Sequence, residues 1–227
     1  MDEITFEVQA GEIFGFLGAN GAGKTTAMRM LCGLSFPTSG SAKVGGYDVY
    51  RENELIKKHI GYMSQKFSLY EDLTILENIR FYGGIYGLTN KQIKDKSEEL
   101  ISFLDLKHEA KKLVKGLPIG WKQKLAFAVA IIHQPKIVFL DEPTGGVDPV
   151  TRRQFWDLIY DASSRGITVF VTTHYMDEAE YCDRVSMMVD GSIKALDSPS
   201  NLKKQYAASS MDDVFYQLAR GAKRTAD

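Results

Sequence analysis

Short continuous apolar runs alternate along this chain with stretches in which apolar residues recur every three or four positions. That alternation predicts strands buried on both faces, joined by helices. The first run, Ile13 to Leu17, predicts a strand that enters a glycine-rich loop. Met28, Leu31 and Cys32 then fall at helical spacing between Lys24 and about Leu34, and Pro37-Thr38-Ser39-Gly40 supplies the turn that stops the helix. Strand-like pieces follow at Ser41 to Val44 and Ile60 to Met63.

The middle of the chain changes character. Leu73 to Leu88 holds an apolar-aromatic helical segment, and Thr89-Asn90-Lys91-Gln92 has the form of a capping box. The helix behind it sets Ile93, Leu100, Ile101 and Leu104 on one face. Lys107 to Lys115 is polar and basic, as a solvated surface turn would be. A further helix is expected from Ile119 to Gln134, closed by Pro135. Lys136 to Asp141 and Ile167 to Thr172 read as buried parallel strands, with a helix from Pro149 to Ser164 between them. Val185 to Val189 and Ser192 to Leu196 flank Asp190-Gly191, a two-residue hairpin signal. The pattern is that of one domain: a core at about 1–66 and 135–199, an inserted helical lobe at about 67–134 and a C-terminal tail at about 200–227.

Composition narrows the classes. The 227 residues are 44% hydrophobic and 25% charged, ordinary for a globular domain. Basic and acidic residues number 28 and 29, so the basic excess of a nucleic-acid binder is absent and no nucleic-acid partner is expected. No apolar run approaches the roughly 18 residues a membrane helix needs. The longest is Leu125 to Ile132. The N-terminus lacks a signal-peptide pattern, which implies a cytoplasmic chain that meets a membrane through a partner. Cys32 and Cys182 have no zinc-like spacing and read as small buried hydrophobes in a reducing compartment.

The chemistry is concentrated in two motifs. Gly18-Ala19-Asn20-Gly21-Ala22-Gly23-Lys24-Thr25 matches the Walker A pattern, with a strand before it and a helix after. Its glycines let backbone N–H groups face phosphate oxygens, and the helix N-terminus favours an anion. Gly18, Asn20, Gly21, Ala22, Gly23, Lys24, Thr25 and Thr26 are therefore the candidate phosphate-binding residues. Lys24 suits the β- and γ-phosphates, and the Thr25 hydroxyl suits Mg²⁺. Ile137 to Asp141 has the Walker B form, an apolar strand that delivers Asp141 towards the metal. Glu142 follows directly and can deprotonate an attacking water.

These motifs, with those that follow, resemble the nucleotide-binding domain of an ATP-binding cassette (ABC) transporter across essentially the whole chain. The resemblance implies an α/β fold of the P-loop NTPase (RecA-like) type: a mostly parallel core sheet, a small antiparallel β region and an inserted helical lobe. It implies ATP and Mg²⁺ as ligands. Gln65, in Ile60-Gly61-Tyr62-Met63-Ser64-Gln65, corresponds to the Q-loop glutamine that senses the metal and the lytic water. Glu142 to Pro149 corresponds to the Walker B extension and D-loop, with Asp148 as its aspartate, and His174 corresponds to the switch histidine. The catalytic set is thus Glu142, His174 and Gln65, and the metal set Thr25, Gln65 and Asp141. His59, His108 and His133 read as structural.

The signature loop departs from the family's usual Leu-Ser-Gly-Gly-Gln. Here it is Leu117-Pro118-Ile119-Gly120-Trp121, and Pro118 removes both a hydroxyl and an N–H donor. In the family this loop, with the D-loop, closes on ATP held by a second nucleotide-binding domain in a head-to-tail dimer. The aromatic that stacks on adenine upstream has no counterpart: Phe6 looks like a strand residue, and the N-terminus reads as truncated. Phe67, Leu69, Tyr70 and Leu73 read equally as docking residues for a transmembrane permease or as lobe core. Met211-Asp212-Asp213-Val214-Phe215 resembles the ending of ABC-2-type exporter ATPases. The expected function is an ATPase that powers an exporter from the cytoplasmic face of the membrane. The competing readings are a non-transport ABC ATPase acting on ribosomes or DNA and a regulatory module without turnover.

Overall fold

The computed structural model describes residues 3–65 and 69–224, with the backbone alone for 221–224. β1 (Ile13–Gly18) runs into α1 (Lys24–Leu31). Two short strands, β2 (Lys43–Val44) and β3 (Tyr47–Asp48), and α2 (Asn53–His59) lead to β4 (Ile60–Met63). Helices α3 (Ile75–Ile85), α4 (Asn90–Phe103) and α5 (Ile119–Ala130) precede β5 (Ile137–Asp141). Then come α6 (Pro149–Ser164), β6 (Thr168–Thr173), the strands β7 (Arg184–Val189) and β8 (Ser192–Asp197), and finally α7 (Pro199–Gln205) and α8 (Met211–Arg224).

The main sheet has the order β4-β5-β6-β1-β7-β8. Every neighbouring pair in it is parallel except β7–β8, and β2–β3 forms a separate antiparallel pair. Period-2 alternation sorts the strand residues between two cores. Ile13 and Leu17 of β1, Val138 and Leu140 of β5, and Val169 and Val171 of β6 face one cluster with α3 to α8. Phe14, Phe16, Phe139 and Phe170 face the other, with α1 and α2. Both faces are covered, which is why β1 and β6 are buried along their whole length. Asp190 and Gly191 both have positive φ, 48° and 80°, and join β7 to β8 in the tight turn their sequence signals.

Helix ends follow local chemistry. α1 stops at Leu31, short of the expected Leu34. Gly33 takes φ 68°, its N–H donates to Met30 O, and Leu34 N–H donates to Arg29 O, a Schellman closure. α5 stops at Ala130 rather than Gln134, because Pro135 disfavours helical backbone before it and Gln134 sits at φ 55°. Both Thr89/Gln92 and Thr74/Glu77 form full capping boxes. Eight of the twelve residues of α5 are buried, so it lies in the shared core between the lobe and the sheet.

One expectation changes, and two features go beyond the sequence pattern. Residues 3–9 form no strand, and Phe6 instead stacks on Phe14 at 5.6 Å and 6° and lies against Phe16 and Phe170. The tail beyond residue 200 contributes to the core: Leu202, Met211 and Val214 are buried in the larger cluster. α2 was not legible, because Ile56 alone among its seven residues is buried and the rest are mostly polar or charged.

Candidate active site

Parallel pairing brings the C-terminal ends of β1, β4, β5 and β6 to one edge of the sheet. Leu17 pairs with Thr173, Asp141 with Thr172 and Met63 with Leu140. Everything that follows those strands therefore meets at one crevice, the usual ligand position in open α/β sheets.

The loop after β1 makes two left-handed turns, at Gly21 (φ 85°) and Gly23 (φ 104°). At Gly18 a Cβ would lie 2.4 Å from the Met188 carbonyl oxygen, so no larger residue fits between β1 and β7. Gly23 caps α1 with no side-chain hydrogen bond, so no side chain competes with an anion for the first-turn N–H groups. Ala22 is buried, while Asn20, Gly21 and Thr26 are exposed at the rim. Lys24 is 4% exposed and donates from Nζ to Gly18 O (2.7 Å) and Ala19 O (3.1 Å). Burial pushes its pKa below the ordinary lysine value, opposed by the Glu142 carboxylate, whose Oε1 is 3.5 Å from Nζ.

Asp141, 1% exposed, accepts from Thr25 Oγ1 (3.1 Å) and Thr172 Oγ1 (2.6 Å) on the same oxygen, Oδ1. Thr172 was not singled out from sequence, although its place one strand over from Asp141 follows from the register. A carboxylate and a hydroxyl beside a phosphate loop match Mg²⁺, which keeps most of its shell for water and phosphate. No cluster of three or more acidic, His or Cys groups able to cage a metal occurs among the described residues.

Glu142 sits at φ 47°, a conformation costly for a residue with a side chain. Its N–H is held by Thr172 O and Thr172 Oγ1, both at 3.1 Å. The side chain, 9% exposed, is enclosed by donors: Gln65 Nε2 at 3.0 Å and His174 Nδ1 at 3.1 Å, both on Oε2. A carboxylate oxygen accepts, so Nδ1 of His174 is the donor in this contact.

The signature and D-loop residues gather elsewhere. Gly120, at the start of α5, packs on α6 so closely that a Cβ would meet Thr151 Cγ2 at 2.3 Å. Leu117 is buried, Pro118 caps α5, Ile119 is 43% exposed, and Trp121 lies under Lys124 Nζ. Asp148 caps α6 through Val150 N, Thr151 N and Thr151 Oγ1, which holds its carboxyl below the usual range. No hydrogen bond or ion pair among the described residues joins this group to 18–25. Of the candidate docking residues, Leu69 is core, Leu73 is half-buried, and Tyr70 is exposed with its ring edge-on to Phe81 at 4.7 Å. Phe67 lies outside the described residues.

A phosphate loop, a buried carboxylate and an adjoining acid at the carboxyl edge of a mostly parallel sheet define a P-loop nucleotide-binding domain. The ABC transporter family model matches residues 1–145. The chain belongs to the ABC transporter family, as its ATP-binding domain. It is 47% identical over 222 residues to the "Probable multidrug ABC transporter ATP-binding protein YbhF" of Escherichia coli, covering 96% of this chain and 38% of that protein. It is 36% identical over 200 residues to the "Linearmycin resistance ATP-binding protein LnrL" of Bacillus subtilis, 88% of this chain and 64% of that one. The chain thus spans well under half of the former and about two thirds of the latter. Among solved structures, an ATP-binding subunit of an ABC transporter matches at TM-score 0.84 and 26% identity, over 95% of this chain and 91% of that one. The cbiO1 subunit of Clostridium perfringens, titled as part of the ABC transporter complex cbiONQ, matches at TM-score 0.79 and 26% identity, over 90% and 82%.

Proposed function

We propose that this chain hydrolyses ATP with Glu142 as general base and that the turnover drives export through a membrane permease. The observation that carries the reading is the arrangement of Glu142: Oε2 is fixed by Gln65 and His174, while Oε1 faces Lys24 beside the phosphate loop. Phosphate at the loop competes for Lys24 with the Gly18 and Ala19 carbonyls and with Glu142. Drawn to phosphate, Lys24 leaves Oε1 free to take a proton from water, whose oxygen attacks the γ-phosphorus as the bond to the bridging oxygen breaks and ADP departs. Thr25 and Asp141 are the residues that would hold Mg²⁺, and the ion supplies neutralisation of charge on the transferring phosphoryl group. Gln65 and His174 keep the base oriented.

Leu117 to Trp121 and Asp148 serve a site on a second nucleotide-binding domain, since no hydrogen bond or ion pair among the described residues joins them to their own phosphate loop. Export is favoured by the names of the relatives, which include multidrug and linearmycin-resistance proteins. The permease docks over Tyr70, Phe81 and Ile85, a patch of exposed apolar side chains at the start and along the outside of α3. That places the domain peripherally on the cytoplasmic membrane face.

Glu142→Gln tests the reading. Turnover should fall at least about a hundredfold, the usual contribution of a general base, while ATP binding persists. A variant that turns over ATP at the wild-type rate sinks the assignment.

A further inference from the structure

A second polar constellation lies behind the active site and has no part in the chemistry above. Glu178, in the 3-10 stretch Met176–Tyr181 that follows β6, is fully buried. Its Oε1 accepts from Thr144 Oγ1 at 2.6 Å, two residues beyond Glu142. Arg152, in the first turns of α6, reaches the same oxygen with Nε at 3.7 Å, and its Nη1 is 3.4 Å from Asp177 Oδ2. The pair is close but unclosed, for Arg152 Nε and Glu178 Oε2 are both buried without a hydrogen-bond partner among the described residues. Buried polar atoms are nearly always satisfied, and a buried ion pair left just beyond bonding distance has unspent capacity.

Arg152 also lies over Tyr175, with its Cζ 4.0 Å from the ring centroid, and Tyr175 in turn packs on His174 at 4.2 Å between ring centroids. One residue therefore touches the helix capped by Asp148, the buried anchor Glu178, and the ring that backs His174. The backbone of Arg152 donates to Asp148 O in the first turn of α6, so any displacement of Asp148 carries Arg152 with it.

We infer that Arg152 is a positioning residue: it reports the placement of the Asp148 end of α6 to His174, through Tyr175 and the anchor Glu178. A second copy of the domain pressing on Asp148 and the neighbouring loop would move α6. Arg152 and Glu178 then close, and the Tyr175 ring fixes His174 against Glu142. In this way assembly of the composite site secures the His174–Glu142 contact that the single domain already makes at 3.1 Å. The inference rests on the ATPase reading given above, but its first readout does not need turnover.

The test uses the 227-residue chain with Arg152→Gln, Arg152→Lys and Tyr175→Leu. Tyr175→Leu leaves the buried pair intact and guards against a result that is only loss of folding. The chain has four histidines, so the His174 ring proton–carbon resonance can be assigned and followed by NMR without nucleotide. Both Arg152→Gln and Tyr175→Leu should shift that resonance. In ATPase assays both should lower kcat about tenfold with KM for ATP within about twofold, and Arg152→Lys, which keeps charge but loses the planar guanidinium, should restore less than half of the loss. A wild-type His174 resonance in Tyr175→Leu overturns the inference. So does a fall in ATP affinity that matches the fall in kcat, which would mark a purely structural role. Unchanged turnover in Glu142→Gln would instead remove the ATPase reading, and the His174 resonance would still decide the role of Arg152.

Discussion

At the scale of single residues, His133 shows how a side chain outside the chemistry can govern stability. It stacks on Tyr86 with ring centroids 3.7 Å apart, donates from Nε2 to Ile60 O at 3.1 Å, and leaves Nδ1 buried without a partner. Burial pushes its pKa down to about 4, against an ordinary value of 6.5. As pH falls through 6.5 the unfolded chain takes up a proton that the folded chain refuses. The stability this group contributes is thus complete above 6.5 and is lost progressively down to about 4. The melting temperature should drop between pH 7 and pH 5, and His133→Phe should flatten that drop in thermal unfolding. The same contrast explains what reading residues alone could reach. Lys24, Thr25 and Glu142 were legible because their roles depend on fixed neighbours in sequence. Thr172 and Arg152 were not, because their partners Asp141 and Glu178 lie 31 and 26 positions away and are chosen by strand register and helix packing.

At the scale of elements, the contact between α5 and α6 constrains the signature loop from within the chain. Gly120 was expected to matter for a partner's nucleotide, yet its lack of a side chain is already required where α5 crosses Thr151. Gly120→Ala should cost about 1–3 kcal/mol by overpacking, read as a lower urea midpoint with an unchanged slope. α8 makes the same argument for the C-terminal segment. Val214, with no exposed surface, anchors it in the larger core, and Val214→Asp would bury an unpaired charge there. That variant should melt well below the parent or aggregate on expression. Strands were the most legible elements, since residues such as Val138 to Leu140 are apolar without interruption. Short helices of mostly polar or charged residues, such as α2, were not, because one buried Ile56 makes no period.

At the scale of the whole molecule, the proposed function gives the domain half of each of two sites. Residues 18–25, Asp141, Glu142, Gln65 and His174 gather at one crevice, and no hydrogen bond or ion pair among the described residues joins Pro118, Ile119 or Asp148 to residues 18–25. A chain that hydrolyses ATP by this arrangement must meet a second copy or a related domain. Glu142→Gln with ATP should therefore double its mass in size-exclusion chromatography with light scattering, and return to a single mass when ADP replaces ATP. A constant mass under both conditions would contradict a head-to-tail closure on nucleotide. The strands follow the apolar runs, but nothing in the runs themselves tells that β1 lies between β6 and β7. That choice brings Lys24 and His174 to adjacent strand ends.

The carbonyl clasp on Lys24 has a further consequence, in protons rather than geometry. An ammonium group whose charge is penalised by burial becomes easier to keep when phosphate lies beside it. Binding of nucleotide and binding of a proton at Lys24 thus favour one another, and affinity must decline as pH rises through the depressed value in the free chain. Titration calorimetry in buffers of different ionisation heat should reveal this as proton uptake on ATP binding, larger at pH 9 than at pH 7.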